Sequence, residues 1–181
     1  MVQEQKNVTY YPHPTDNMWN AEAGKLIPYL FGKGADIGSS NRSIFTTDVR
    51  VDIDPERHPD ILCSGDKLPF EDEEFDYVYG IHSFEHFPDQ EKLLKEWRRV
   101  VKKGGIVAIV HPDLEFTKEQ KPLDQNMDKN PYNKHFYERT YQQWLDWFST
   151  LEDLGLKIID SGVACGRWSF YVIMKRVIAF H

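Results

Sequence analysis

The sequence has few of the features that mark secreted, membrane-spanning or nucleic-acid-binding chains. Its 181 residues include two cysteines, Cys63 and Cys165, without CxxC spacing, a pattern typical of reduced, buried thiols in an intracellular protein. No apolar run is long enough to span a bilayer. The first 16 residues are polar and lack the apolar segment of a signal peptide. These absences predict a cytoplasmic protein.

Positive charge is also scarce. The chain has 22 Lys and Arg against 29 Asp and Glu, a formal charge of −7, which favours neither nucleic acid nor an anionic membrane as a partner. The apolar fraction is 40% and the aromatic fraction is 14%, enough for a packed core. We therefore expect a single domain over residues 1–181. The sequence gives no indication of the oligomeric state.

Short apolar strands alternate along the chain with amphipathic helices. Helices are predicted at about 18–31, 89–102 and 140–154, ending at Gly32 and Gly34, at Gly104 and Gly105, and at Gly155. Strands are predicted at 34–38, 50–54, 60–64, 75–79, 106–110, 156–160 and 170–174. The apolar run 106–110 is typical of a central parallel strand. The alternation predicts an α/β fold with a mostly parallel twisted sheet and an antiparallel C-terminal strand.

Two connections in this pattern are short. Eleven residues separate Gly38 from Arg50, and five separate Asp54 from Asp60. Because a helical crossover needs a dozen or more residues, the first connection has room for at most one helical turn and the second for none.

Four ordered segments, ADIGSSNRS, RVDIDP, LPFEDEEFDYVYGIHSFEHFPD and EWRRVVKKGGIVAIVHPD, resemble class I S-adenosylmethionine-dependent methyltransferases of the methyltransferase type 11 group. The resemblance covers about residues 33–111. It implies a Rossmann-like methyltransferase fold, S-adenosylmethionine as cofactor and methyl transfer to a small polar acceptor. A sugar or another cell-surface precursor is the acceptor class that it suggests.

The first segment holds the predicted site for the methionine part of the cofactor. Asp36 is predicted to receive its ammonium, directly or through water, and Gly38 to let the backbone approach the ligand closely. Ser39 belongs to the predicted cofactor-binding set. With Ser40 and Asn41 it stands where the family has further glycines, which implies a different turn.

The second segment predicts the ribose site. The resemblance favours Asp52, whose carboxylate ends a strand and would accept hydrogen bonds from both ribose hydroxyls. Asp54 points to the same side by strand alternation and is the alternative. Ile53, between them, is included in the cofactor-binding set.

The stretch CSGDKLPF resembles the adenine-side segment of the family, with Ser64 where an acid is usual. Ser64 and the amide of Gly65 are predicted to meet the adenine ring, with Asp66 as the alternative to Ser64. Leu68 and Phe70 are predicted to belong to the core or the pocket wall.

His82 directly follows the fourth strand, at the sheet edge where α/β folds bind ligands. It is predicted to contact the cofactor, and it is either the general base or a wall of the pocket. Glu85 and His86 are expected to cap and anchor the next helix.

The letters HSFEH also match the inverted zinc-protease motif H-x-x-E-H. That chemistry needs both histidines one turn apart on a helix, whereas Pro88 predicts that the helix begins later. We therefore predict neither a metal site nor stoichiometric zinc, and a zinc hydrolase is the least favoured alternative.

Residues 112–139 resemble the insertion that covers the acceptor site. The candidates for acceptor contacts are His111, Asp113, His135, Tyr137 and Arg139, with Arg167 and Trp168 as more distant ones. The missing glycines and short connections leave a non-catalytic module that binds S-adenosylmethionine as the main alternative.

Overall fold

A computed structural model describes residues 17–115, 132, 135–136, 139–166 and 168–177. Its helices and strands, in chain order, are α1 (Asn17–Leu26), β1 (Gly34–Ile37), β2 (Val49–Asp52), β3 (Ile61–Leu62), β4 (Phe75–Ile81), α2 (Gln90–Val100), β5 (Val101–Pro112), α3 (Tyr141–Ser149), β6 (Leu156–Cys165) and β7 (Ser169–Arg176). Short 3-10 helices lie at Ile27–Tyr29, Pro55–Arg57, Phe84–His86 and Thr150–Leu154. The predicted N-terminal segment 1–16 lies outside the described residues.

The strands form one sheet in the order β3-β2-β1-β4-β5-β7-β6. β7 runs antiparallel to both of its neighbours, and the pairs among β1 to β5 are parallel. The predicted α/β fold, with its mostly parallel sheet and antiparallel C-terminal strand, is confirmed. The chain order reverses between β1 and β4, so the carboxyl ends of β1 to β5 meet at the edge where open α/β sheets bind ligands.

Apolar side chains cover both faces of the sheet. One face packs against α2 and α3 and the other packs against α1. The first core includes Leu93, Trp97, Trp144 and Phe148, and the second includes Trp19, Ala23, Leu26, Tyr77 and Tyr79. Leu68 is buried in the first core, where Phe70 packs on Phe75, as predicted. The predicted central strand is confirmed because Val107 and Val110 are fully buried.

The ends of all three helices differ from the prediction, and α3 ends at Ser149 and continues to Leu154 only as a 3-10 helix. α2 begins at Gln90, close to the predicted start, with Asp89 as its cap, but it ends at Val100. Gly104 and Gly105 lie inside β5, because Val101 already pairs with Phe75 of β4. At the N-terminus the α-helix stops at Leu26, and Pro28 continues it only as a 3-10 turn.

The early connections contain little helix. Residues 38–48, between β1 and β2, form turns, bends and one β-bridge residue but no helix, within the limit that the sequence set. The β2–β3 connection contains a single 3-10 turn, Pro55–Arg57, where no helix is predicted; Asp54 caps it by accepting from the amide of Glu56. The β3–β4 connection, residues 63–74, also lacks a helix.

Two expectations from composition concern the thiols and the membrane. Cys63 and Cys165 are both free thiols, but they are half-buried rather than fully buried. Among the described residues, no helix has both the length and the apolar character needed to cross a bilayer.

Candidate functional site

The turns that follow β1 and β2 are fastened to each other at the carboxyl edge of the sheet. The amides of Gly38 and Ser39 both donate to the carbonyl of Val51, at 2.8 and 3.2 Å. The Asp52 carboxylate accepts from the amide of Ser40 at 2.8 Å and from the amide of Asp54 at 2.9 Å. A half-buried carboxylate therefore stands at this edge, held by two backbone amides.

Gly38 meets a protein neighbour. Its φ is +74°, a conformation that glycine adopts without strain. A Cβ at this position would lie 2.4 Å from the Cβ of Ser83. The lack of a side chain at Gly38 thus lets the turn after β4 pack against the turn after β1. Ser83 makes one close approach to Gly38, and the approach of a ligand to its backbone stays a prediction.

Asp36 is buried in a polar cluster beneath the edge, with only 4% of its surface exposed. Burial, with the negative charge of Asp48 nearby, raises the pKa of Asp36 well above its ordinary value, against a hydrogen bond with Tyr79 that lowers it. Tyr79 also bridges the amide of Ile44 and the Asp48 carboxylate. The shift favours the neutral form of this carboxyl, which is a poorer partner for an ammonium than an ionised one, and the contact of Asp36 with the cofactor stays a prediction.

Residues 53 and 54 differ sharply in their surroundings. Ile53 is 46% exposed, next to the Asp52 carboxylate. The Asp54 carboxylate is almost buried; it accepts from the amide of Glu56 at 3.0 Å and lies 3.4 Å from Nε of Arg57. Asp54 therefore serves the 3-10 turn, while an apolar side chain and a carboxylate stand side by side at the edge.

The predicted adenine segment lies in the turn that follows β3. Ser64 Oγ donates to Asp66 at 2.5 Å, and Lys92 donates to the other oxygen of Asp66 at 2.7 Å. Burial raises the pKa of Asp66, but the hydrogen bonds from Lys92 and Ser64 outweigh it and lower the pKa. The indole of Trp97 donates to the carbonyl of Gly65 at 3.2 Å. The segment is thus anchored to α2.

His82 lies between two buried carboxylates. It follows β4 in a left-handed conformation, with φ +53°. Its Nε2 lies 2.8 Å from Glu22 of α1, and its Nδ1 lies 3.7 Å from Glu85. Glu22 also accepts from the hydroxyl of Ser169 at 2.5 Å.

These carboxylates decide the charge of His82. Burial lowers the pKa of His82, but Glu22 and Glu85 outweigh it and raise the pKa to about 10. A protonated imidazole has no lone pair to accept a proton. The structure therefore argues against His82 as general base and favours a cation that holds α1 and the 84–86 turn at the edge.

The HSFEH segment does not form the helix that a zinc protease needs. Phe84–His86 is a single 3-10 turn, and α2 starts only at Gln90, as the position of Pro88 predicts. His82 stands before that turn and is paired with Glu22. His82 and His86 therefore do not share a helical face. Glu85 and His86 do not cap α2, whose cap is Asp89.

Several predicted acceptor residues contact other described parts of the protein. The amide of Asp113 donates to the carbonyl of Trp168 at 2.9 Å. The Arg139 guanidinium stacks over Trp144 at 4.6 Å. His135 lies against His86, with ring centroids 4.9 Å apart. Tyr137 and Arg167 lie outside the described residues.

His111 is part of the core rather than of an open pocket. It is 1% exposed and stacks against Trp144 and Phe170. Burial lowers the pKa of its imidazole to about 4, so the ring is neutral at physiological pH. Its Nδ1 bonds the carbonyl of Pro112 at 2.7 Å, which makes Nδ1 the donor.

Two residues of the site were not identified from the sequence. Glu22 lies with Trp19, Ala23 and Leu26 on the buried stripe of α1, so an acid at an apolar position of the helical period was the available signal. Asp48 carried no such signal, because its partners Tyr77 and Tyr79 come from a distant strand.

Comparison with known sequences finds a family match in the central part of the chain. Residues 37–109 match the family model of the methyltransferase domain. The chain is 41% identical over 70 residues to a ubiquinone/menaquinone biosynthesis C-methyltransferase of Cupriavidus taiwanensis, covering 39% of this chain and 27% of that protein. It is 36% identical over 106 residues to the chloroplastic tocopherol O-methyltransferase of Arabidopsis thaliana, covering 56% of this chain and 29% of that protein. The chain thus spans less than a third of the length of each of these relatives.

Solved structures share the fold. One is a chain of the complex between the Haloferax volcanii Trm112 methyltransferase activator and a putative methyltransferase, with a TM-score of 0.70, 13% identity and 92% coverage of both chains. Another is a possible histamine N-methyltransferase from Thermotoga maritima. It has a TM-score of 0.60 and 20% identity, and the match covers 86% of this chain and 87% of that chain. At such identities the likeness concerns the fold alone. It matches the predicted Rossmann-like methyltransferase fold.

Proposed function

We propose that this chain binds S-adenosylmethionine and transfers its methyl group to a small polar acceptor. Its residues 37–109 match the methyltransferase domain family, and its fold is that of class I S-adenosylmethionine-dependent methyltransferases. The cofactor lies across the carboxyl ends of β1, β2 and β3 in this proposal. Gly38, Ser39, Asp52, Ile53, Ser64, Gly65 and Asp66 form its site.

The observation that supports the proposal most is the pair Asp52 and Ile53. A carboxylate at the end of β2 suits a ribose diol, because it accepts two hydrogen bonds. The 46% exposed Ile53 beside it offers an apolar surface to an adenine ring. The chemistry of these two neighbours fits the nucleoside half of the cofactor.

When bound, S-adenosylmethionine supplies a methyl group on a positively charged sulfur. The protein then contributes orientation and exclusion of water. The described part of residues 112–139 lies beside the edge and excludes solvent in this proposal. His82, paired with Glu22 and Glu85, acts as a positioning residue that fixes the turn after β4.

The acceptor class is a finer part of the proposal. A sugar or another cell-surface precursor is the acceptor that the family resemblance suggests. Asp113, His135, Arg139 and Trp168 are the described residues that are predicted to contact it. A cytoplasmic location, a single domain over 1–181 and an absence of nucleic-acid or membrane partners remain predictions.

Calorimetric titration of the full chain with S-adenosylmethionine and S-adenosylhomocysteine tests the proposal. We expect dissociation constants of about 1 µM, equal to about −8 kcal/mol. Turnover on a panel of sugars, phenols and amines then separates an enzyme from a module that only binds the cofactor. The absence of both heat and a thermal shift with either ligand overturns the cofactor site.

A further inference from the structure

Three potential metal ligands come together beside the edge, outside the proposed cofactor site. They are the carboxylate of Glu85 and the imidazoles of His86 and His135, and one donor atom from each lies within 4.8 Å of the other two. We propose that a divalent transition-metal ion, such as zinc, binds to Glu85, His86 and His135. This donor set differs from the His82 and His86 pair of the protease motif and reverses the expectation that the chain binds no metal.

Backbone structure holds the three donors together across about 50 residues of sequence. Glu85 and His86 belong to the same 3-10 turn. The amide of Phe136 donates to the carbonyl of Glu85 at 3.0 Å, which brings the neighbouring His135 to this turn. The imidazoles of His86 and His135 then meet edge to face. Neighbouring ligands of a tetrahedral zinc ion lie about 3.4 Å apart, so donors within 4.8 Å of one another close by up to about 1.4 Å on binding.

Glu85 gives an independent indication of a ligand. It is 1% exposed, and among the described residues its Oε2 is buried without a hydrogen-bond partner. An unsatisfied buried carboxylate oxygen is costly, and a cation at this position satisfies it.

The donor set indicates the class of metal. Two imidazoles and one carboxylate suit zinc and its first-row neighbours better than the all-oxygen sites of calcium or magnesium. Three protein ligands leave at least one coordination position for water or for an oxygen of a bound molecule. Metal binding would also fix the segment that holds His135 to the turn after β4.

Titration of the metal-free full chain with Co²⁺, followed by its visible absorption, and competition with Zn²⁺ test the site. We expect one ion per chain. His135→Asn and His86→Asn should each weaken binding by about tenfold or more, since even the supporting partners of metal ligands contribute that much. His58→Asn is the matched control. His58 lies in the turn after Pro55–Arg57 with φ +49°, a conformation that asparagine tolerates. The variant should bind the metal as tightly as the wild type does.

Melting curves provide a second readout on the same proteins. Zn²⁺ should raise the Tm of the wild type and of His58→Asn, and not that of His135→Asn, because only a folded site binds the ion. If His135→Asn binds Co²⁺ like the wild type, or if His58→Asn loses as much, the metal site is wrong. Calorimetry with S-adenosylmethionine on the metal-free chain keeps this result separate from the proposed function.

Discussion

Nε2 of His82 lies 2.8 Å from Oε1 of Glu22, which joins the carboxyl end of β4 to the first helix across 60 residues of sequence. Both groups sit at the edge proposed to bind the cofactor. Glu22 is 1% exposed, and its carboxylate has His82 as a pairing partner and the hydroxyl of Ser169 as a hydrogen-bond donor. The contact makes α1 part of the site rather than a mere cover for the sheet.

Glu22→Gln should destabilise the fold. The amide keeps the shape of the side chain but removes the charge that faces the His82 imidazolium. Hydrogen bonds to charged groups contribute about 1.5–3 kcal/mol, so we expect the free energy of unfolding to fall by about 2 kcal/mol. Urea denaturation measures the change. Ser169→Ala, which removes only the neutral donor, is the control and should cost less. A Glu22→Gln variant as stable as the wild type would show that the pair contributes nothing.

His82→Asn separates a positioning role from general-base catalysis. Asparagine tolerates the left-handed backbone at this position. Loss of a general base lowers kcat by about 10²–10⁴-fold, whereas loss of a positioning cation should lower kcat by less than about tenfold and mainly weaken cofactor binding. Methyl-transfer kinetics and calorimetry on the same protein measure the two effects. A large fall in kcat with unchanged cofactor affinity would restore His82 as the base.

Local patterns predicted the fold well because they depend on few residues at a time. The apolar run 106–110 indicated a central strand, and Val107 is fully buried there. The end of α2 was predicted wrongly, because the residue that stops it, Val101, does so by pairing with the distant Phe75. The hydrophobic periodicity of a segment does not show which distant strand it pairs with.

For the site too, local sequence features were predicted and long-range contacts were not. The sequence placed Asp52 at the strand end, and its motif indicated the kind of ligand. It did not show that two amides already bind this carboxylate. Nor did it show that Asp36 lies beside Asp48 and Tyr79. Folding brings these residues together. The resulting contacts change the charge and the role of residues that the sequence analysis had already identified.

Asp36→Asn should change how stability depends on pH. The pKa of Asp36 is raised above 3.8 in the folded state by burial and by Asp48, with Asp52, Tyr79 and Arg50 also facing the carboxyl. The folded chain thus binds more protons than the unfolded chain above the unfolded pKa. Its stability falls as pH rises through the folded pKa.

A neutral amide has no such dependence, so Asp36→Asn should gain stability relative to the wild type as pH rises from about 4 to about 8. Urea denaturation across this range measures the difference. Asp146→Asn, on the exposed side of α3, is the control and should track the wild type. A constant difference between Asp36→Asn and the wild type would mean that Asp36 is ionised in the folded state.

Asp52→Ala and Asp54→Ala together test the ribose site. If the Asp52 carboxylate accepts from the ribose, Asp52→Ala should weaken S-adenosylmethionine binding by about 1.5–3 kcal/mol, or about 10- to 150-fold. A strand-end acid alone predicts little change in stability. However, this carboxylate accepts from the amides of Ser40 and Asp54, so we also expect about 2 kcal/mol of destabilisation.

Asp54→Ala provides the comparison. It removes the cap of the turn Pro55–Arg57, which should cost about 1 kcal/mol of stability, and it should leave cofactor affinity close to the wild type. Matched calorimetric titrations at a temperature where melting curves show both variants folded separate affinity from folding. A larger loss of affinity in Asp54→Ala would move the ribose to Asp54. Small and equal losses in both variants would mean that neither acid binds it, since an alanine leaves no acceptor for the two hydroxyls at either position.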